Sequence, residues 1–117
     1  MSWKPTVVFD FDGVIHSYIS GWKGMDVIPD PPVPGIKEAI DEIRERYEVV
    51  VVSSRTAQED GYRAVEEWLA KYDIQVDGIC DTKPPAIVYI DDRAIKFNGK
   101  PETLLDEIKN FKTWQNK

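Results

Sequence analysis

The chain has 117 residues, 42% of them hydrophobic and 11% aromatic, with a formal net charge of -6. That length predicts one hydrophobic core and a single domain over 1–117, and the apolar content excludes a disordered chain. The acidic balance disfavours long-range steering of polyanions such as duplex DNA, although a local basic groove is compatible with it.

Thr6 to Phe9 is β-branched and aromatic without polar alternation, which predicts a strand buried on both faces. It runs into Asp10-Phe11-Asp12-Gly13, two carboxylates one residue apart and then a glycine. At the carboxyl end of a parallel strand such a pair borders the ligand crevice. Desolvation and mutual repulsion there require a cation or a bound proton. A turn or capping role, common for Asp, is the alternative.

Residues 13–34 are rich in Gly and Pro, and Asp30-Pro31-Pro32-Val33-Pro34 is compatible with neither helix nor central strand. A loop this long in a small domain reads as a functional flap, with a short hairpin around Ser20-Gly21. Pro34 marks the start of a first helix, with Ile36, Ala39, Ile40, Ile43 and Tyr47 on one face. Glu48 to Val52 predicts a second buried strand ending in Ser53-Ser54-Arg55-Thr56. From about Gln58 to Tyr72, the residues Tyr62, Val65, Trp68, Leu69 and Tyr72 form a second amphipathic stripe. Trp3 and Trp68 are assigned to packing.

Ile74 to Ile79 predicts a weak strand, Cys80 a half-buried small residue, and 81–85 a rigid connector. Ala86 to Ile90 predicts a third strong, buried strand that stops at Asp91-Asp92. Ile95 to Phe97 is a candidate short strand before the Asn98-Gly99 turn. Pro101 opens a last helix whose Leu104, Leu105, Ile108 and Phe111 face inward; Trp114 extends that stripe and the lysine-rich tail frays. Strands alternating with amphipathic helices predict a three-layer α/β/α, Rossmann-like domain with a mostly parallel central sheet. One cysteine gives neither an internal disulfide nor a zinc spacing, and no membrane-length or signal-peptide segment is present. The expectation is a soluble cytoplasmic protein.

In a parallel sheet the polar ends of three strands meet at one edge: Asp10/Asp12, Ser53-Ser54-Arg55 and Asp91-Asp92. Up to four carboxylates then lie together with a hydroxyl, an arginine and Lys83. Such a site suits a hard divalent cation, and Mg²⁺ in particular, because it keeps part of its hydration and shares substrate phosphate. With the cation bound, Ser53 and Lys83 offer a donor and a charge to a phosphoryl group.

Asp10-Phe11-Asp12-Gly13-Val14, then Ser53 after a hydrophobic strand, then Lys83, then Asp91-Asp92 after another, resembles the haloacid dehalogenase (HAD) superfamily over roughly Thr6 to Phe97. The resemblance implies a Mg²⁺-dependent phosphomonoester hydrolase. Asp10 would be the nucleophile that forms an aspartyl-phosphate. Asp12 would be the general acid and base, as in the phosphatase branch. The metal ligands implied are the Asp10 carboxylate, the Asp12 main-chain carbonyl and Asp92, with Asp91 as a second ligand or a water holder.

Two departures stand out. Lys83 precedes Asp91 by only eight positions, so a surface lysine is the alternative to a phosphate contact. No inserted module serves as a cap, so the open site accepts a large substrate or borrows closure from the flap or a neighbouring subunit in a homo-oligomer. His16, Tyr18 and Trp22 are the flap residues able to read the leaving group, His16 alternatively being a packed turn residue. Arg55 is either a phosphate-binding group or a structural salt-bridge partner. Two other functions are compatible with the pattern. One is a phosphorylatable switch or binding module, against which the order of the acidic motifs counts. The other is a nucleic-acid end-processing phosphatase, suggested by the flap aromatics and opposed by the net charge. The expected partner is a phosphorylated small molecule or a larger phosphorylated substrate, without a membrane.

Overall fold

A computed structural model describes residues 3–115. β1 (Thr6–Phe9), β2 (Glu48–Val52), β3 (Gly78–Cys80) and β4 (Val88–Ile90) form one sheet in the order β3-β2-β1-β4, each neighbouring pair parallel. α1 (Ile36–Arg44) joins β1 to β2, α2 (Glu59–Lys71) joins β2 to β3, and α3 (Leu104–Lys109) follows β4. Single 3₁₀ turns occupy Arg55–Ala57 and Pro101–Thr103. The α/β class and the parallel sheet are those expected. No helix among the described residues is long and apolar enough to cross a membrane.

The pleat decides the core. Val7, Phe9, Val49 and Val51 share one face, where they cluster with Ile40 of α1 and with Val65, Trp68 and Leu69 of α2. Fully burying an aliphatic or Phe side chain of this kind contributes about 1.5–3 kcal/mol. Two crossovers that step the same way, β1 to β2 to β3, put both helices on the same face when both are right-handed. The return to β4 is an extended segment, 81–87, rather than a helix, and α3 after β4 contains no buried residue. Asp81, Thr82 and Lys83 of that segment share a cleft with Val8 and Val52 of the second face.

Other expectations change for related reasons. The last strand is shorter than expected and lies at the edge, with Ile87, Val88 and Tyr89 exposed. It has one neighbour in the sheet. β3 is only Gly78–Cys80, because Ile74 still bonds back to Leu69 at the end of α2. Asp77 instead bonds to Val49 through its N–H and its carboxylate, at 2.8 Å each, and lines up the start of β3. Residues 95–97 form no strand. α3 spans six residues and buries none of them; Leu105, Ile108 and Phe111 are exposed rather than inward. Trp3 is 82% exposed and not a packing residue, whereas Trp68 is buried as expected. Cys80 is half-buried and free. The expected frayed tail falls partly on residues 116–117, outside the described residues.

Residues 13–34 are tied down at several points. Ser17 N–H bonds to the Pro31 carbonyl and Val33 N–H to that of Ile15, both at 2.9 Å, which closes the base of the flap. Phe11, His16 and Trp68 form a ring cluster with centroids 5.0–5.6 Å apart, which docks that base on α2. At the turn expected near Ser20-Gly21, Gly21 N–H reaches the Tyr18 carbonyl. Asp30 holds the N–H and hydroxyl of Ser20 at 2.7 and 2.6 Å, and its own carbonyl accepts from Trp68 Nε1.

Candidate active site

β1 is central, with β2 on one side and β4 on the other. The chain leaves β1 toward β2 but reaches β4 from the opposite direction, so the β1/β4 boundary is a topological switch point. Crevices in open parallel sheets form there, at the carboxyl ends of the strands. Asp10 N–H bonds to the Ile90 carbonyl at 2.8 Å, which fixes the end of β1 beside Asp91 and Asp92. The chain then turns sharply, and the Phe11 carbonyl accepts from Val14, Ile15 and His16. Gly13 at φ 84 allows that turn. A Cβ there would stand 2.2 Å from Asp92 Oδ2.

Asp10, Asp91 and Asp92 each offer a carboxylate oxygen within 4.8 Å of the others. Burial pushes the Asp10 carboxyl up to about 7, with the Asp91, Asp92 and Asp12 charges adding and the Phe11 N–H opposing. Asp92 is raised as well, first by burial and then by Asp91. Its Oδ1 is buried without a hydrogen-bond partner. Stripped of water and facing like charges, this all-oxygen set is suited to a hard divalent cation. The residues present thus fit the Mg²⁺ that the sequence implies.

Ser53, at the end of β2, accepts the Arg55 N–H at 2.9 Å through its hydroxyl oxygen, which leaves the hydroxyl proton available for donation. Thr56 Oγ1 reaches the Ser53 and Cys80 carbonyls and ties β2 to β3 behind it. Lys83 is exposed, with Nζ 4.9 Å from the Tyr89 ring centroid. Asp10, Ser53, Lys83 and Asp91 border one cleft of about 240 Å³. The short spacing before Asp91 does not keep Lys83 away from Asp10, because the extended connector carries it back across the sheet.

Arg55 and His16 belong to another network. Arg55 is fully buried, and its Nε donates to Asp12 Oδ1 and Oδ2 at 3.2 and 2.9 Å. Its NH1 donates to the carbonyls of Gly24, Met25 and Val27. Of the two readings of Arg55, the salt bridge is the one formed, and a phosphate-binding Arg55 is corrected accordingly. Gly61 of α2 lets the Arg55 main chain pack closely on that helix: a Cβ there would lie 2.2 Å from the Arg55 carbonyl oxygen. His16 is also fully buried. Its Nε2 accepts the Asp30 N–H at 3.2 Å, so in the neutral ring Nδ1 carries the proton and donates to Asp12 Oδ1 at 2.8 Å. His16 therefore cannot touch a substrate directly, which corrects its role as a flap reader.

Tyr18 and Trp22 do reach open space. With Asp12, Ser54 and Asp92 they border a second, larger cleft of about 720 Å³. Its far wall includes Arg93 and, from beyond α3, Thr113 and Gln115. Trp114 Nε1 donates to the Gly13 carbonyl at 2.8 Å, and Gln115 Nε2 to that of Ser17 at 2.6 Å. Asp30 and this C-terminal segment were not legible as site components in the sequence. A carboxylate buried in a Pro-rich loop and a Trp beyond the last helix were the available signals. No protein-family model matches the chain, and no curated protein matches it in sequence.

Proposed function

We propose that the protein is a Mg²⁺-dependent phosphomonoester hydrolase of the haloacid dehalogenase type, with Asp10 as nucleophile. The observation that carries this reading is the meeting of Asp10, Asp91 and Asp92 within 4.8 Å, on the edge of a cleft that also holds Ser53 and Lys83. Bound by the Asp10 and Asp92 carboxylates and the Asp12 carbonyl, with Asp91 as a further ligand or water holder, Mg²⁺ would offset their charge and draw in the phosphate oxygens.

Ser53 and Lys83 bind the equatorial oxygens of the phosphoryl group. The Asp10 carboxylate attacks phosphorus, and the bond from phosphorus to the leaving oxygen breaks as Asp12 gives that oxygen a proton. A water molecule then attacks the phosphorus of the aspartyl-phosphate, Asp12 takes its proton, and Asp10 is released with inorganic phosphate. Asp12 Oδ1 accepts from both His16 Nδ1 and Arg55 Nε, whereas Oδ2 accepts from Arg55 Nε alone and keeps a second lone pair for the proton it relays.

A phosphate-accepting switch is the second reading, favoured by one feature: the double engagement of Asp12 would slow the relay and prolong the phosphorylated state. Hydrolysis of an aryl phosphate with and without Mg²⁺, by wild type and Asp10→Asn, tests the proposal. Metal-dependent turnover lost in the variant is expected; turnover retained in Asp10→Asn removes Asp10 as nucleophile.

A further inference from the structure

The two clefts are not equivalent. The smaller holds Asp10, Ser53 and Lys83; the larger opens from Asp12 and Asp92 along the flap; Ser54 borders both. In the proposed hydrolysis the phosphoryl group belongs with the first set and the leaving oxygen with Asp12. The leaving group therefore extends into the larger cleft.

Trp22 decides what that cleft selects. Trp22 is 49% exposed and contributes to the cleft wall. One face is occupied, because the Arg55 guanidinium carbon lies 4.5 Å from the ring centroid. Arg55 in turn is held by Asp12 and by three flap carbonyls, so the indole rests on a buried, fixed cation. A planar group backed in this way is a stacking platform whose orientation needs no further ordering on binding. A single guanidinium also separates the Trp22 ring from the Asp12 carboxylate. The guanidinium fills that space, so a stacked group lies on the opposite, solvent-facing side of the indole.

The cleft volume falls in the range of small-molecule sites, and the net charge of -6 disfavours a long polyanion. We propose that the leaving group is a nucleoside, whose base stacks on Trp22 with its sugar bridging to Asp12. This rests on the hydrolase reading. In balance, the phosphorus–oxygen bond breaks, Asp12 protonates the nucleoside oxygen, and water supplies the oxygen gained by phosphate.

The test compares kcat/KM for a nucleoside monophosphate and for glycerol phosphate, which has no ring, in wild type and Trp22→Ala. A loss of about tenfold or more is expected for the nucleotide, with glycerol phosphate little changed. No selective loss, or an equal loss on both substrates, overturns the stacking role and leaves Trp22 acting only through Arg55. A second measurement separates this inference from the hydrolase reading: binding of the nucleoside monophosphate to Asp10→Asn, followed by the indole resonance of Trp22. Perturbation of that resonance without wild-type turnover of any ester supports stacking and sinks the hydrolase. An unperturbed indole at saturating nucleotide overturns the stacking whatever the turnover.

Discussion

Arg55 and Asp12, 43 residues apart, form a part-buried pair in which the Nε of the fully buried arginine sits 3.2 and 2.9 Å from the two carboxylate oxygens. The pair joins the turn after β1 to the turn after β2, and its outer nitrogen NH1 holds the flap. One side chain thus fixes the proposed acid-base residue and the wall of the larger cleft. Breaking a buried pair from one side costs about 3–5 kcal/mol, because the remaining charge is left uncompensated. Arg55→Lys, which cannot serve both Asp12 and three carbonyls, is expected to melt well below wild type. In the surviving folded fraction kcat should fall with KM for phosphate esters changed far less. Thermal denaturation and steady-state kinetics check both; a variant with wild-type melting and kcat contradicts the positioning role.

Gly13 is where the turn and the carboxylate set constrain each other. Gly13→Ala adds a Cβ that meets Asp92 Oδ2 at 2.2 Å, on a backbone with φ 84. The strained backbone should cost about 1–3 kcal/mol, and displacement of Asp92 should weaken Mg²⁺ binding at least tenfold. Calorimetric metal titration beside thermal denaturation separates the two effects.

The raised Asp10 carboxyl gives a pH dependence with a definite sign. Between its ordinary value of 3.8 and about 7 the folded protein holds a proton that the unfolded chain has released. Stability without metal therefore falls as pH rises through that window, because the unfolded state binds fewer protons. Mg²⁺ competes with the same proton, so its affinity should rise from pH 5 to 7 and level off above. Melting temperature should fall with rising pH across this range without Mg²⁺ and stay nearly level with saturating Mg²⁺, and Asp10→Asn should flatten the metal-free curve.

Much of the interior was legible in the sequence for a physical reason: local periodicity is local information. β1, β2 and α2 follow from unalternating β-branched runs and a 3.6-residue stripe, and strand-end position follows from where the apolar run breaks. The partners of Arg55 and His16 were not legible. Each lies at the end of a chain segment whose placement is set by sheet order, and a sequence separation of 43 residues carries no spacing rule. The stripe of α3 misled in the opposite way. Leu105 and Ile108 have helical spacing, but spacing names a face without showing that anything covers it. At β4, the apolar run Ala86–Ile90 reads as a buried strand, although Val, Tyr and Ile suit an edge as well.

The tether from the C-terminal segment gives a separate test. Trp114→Phe keeps the ring and removes the donor to the Gly13 carbonyl. One hydrogen bond of this kind contributes about 0.5–1.5 kcal/mol, so melting should drop by a few degrees. Faster amide exchange at Gln115, without change in the β1 and β2 amides, would place the effect at the tether.

The central claim is that Asp10 carries the phosphoryl group. Wild type and Asp12→Asn, mixed with an aryl phosphate and Mg²⁺ and quenched in acid, can be digested and mapped by mass spectrometry. A phosphoryl adduct on the peptide containing Asp10, longer-lived in Asp12→Asn and missing from Asp10→Asn, is the result the account predicts. Turnover with no carboxylate adduct in either protein, or an adduct on another residue, would contradict it.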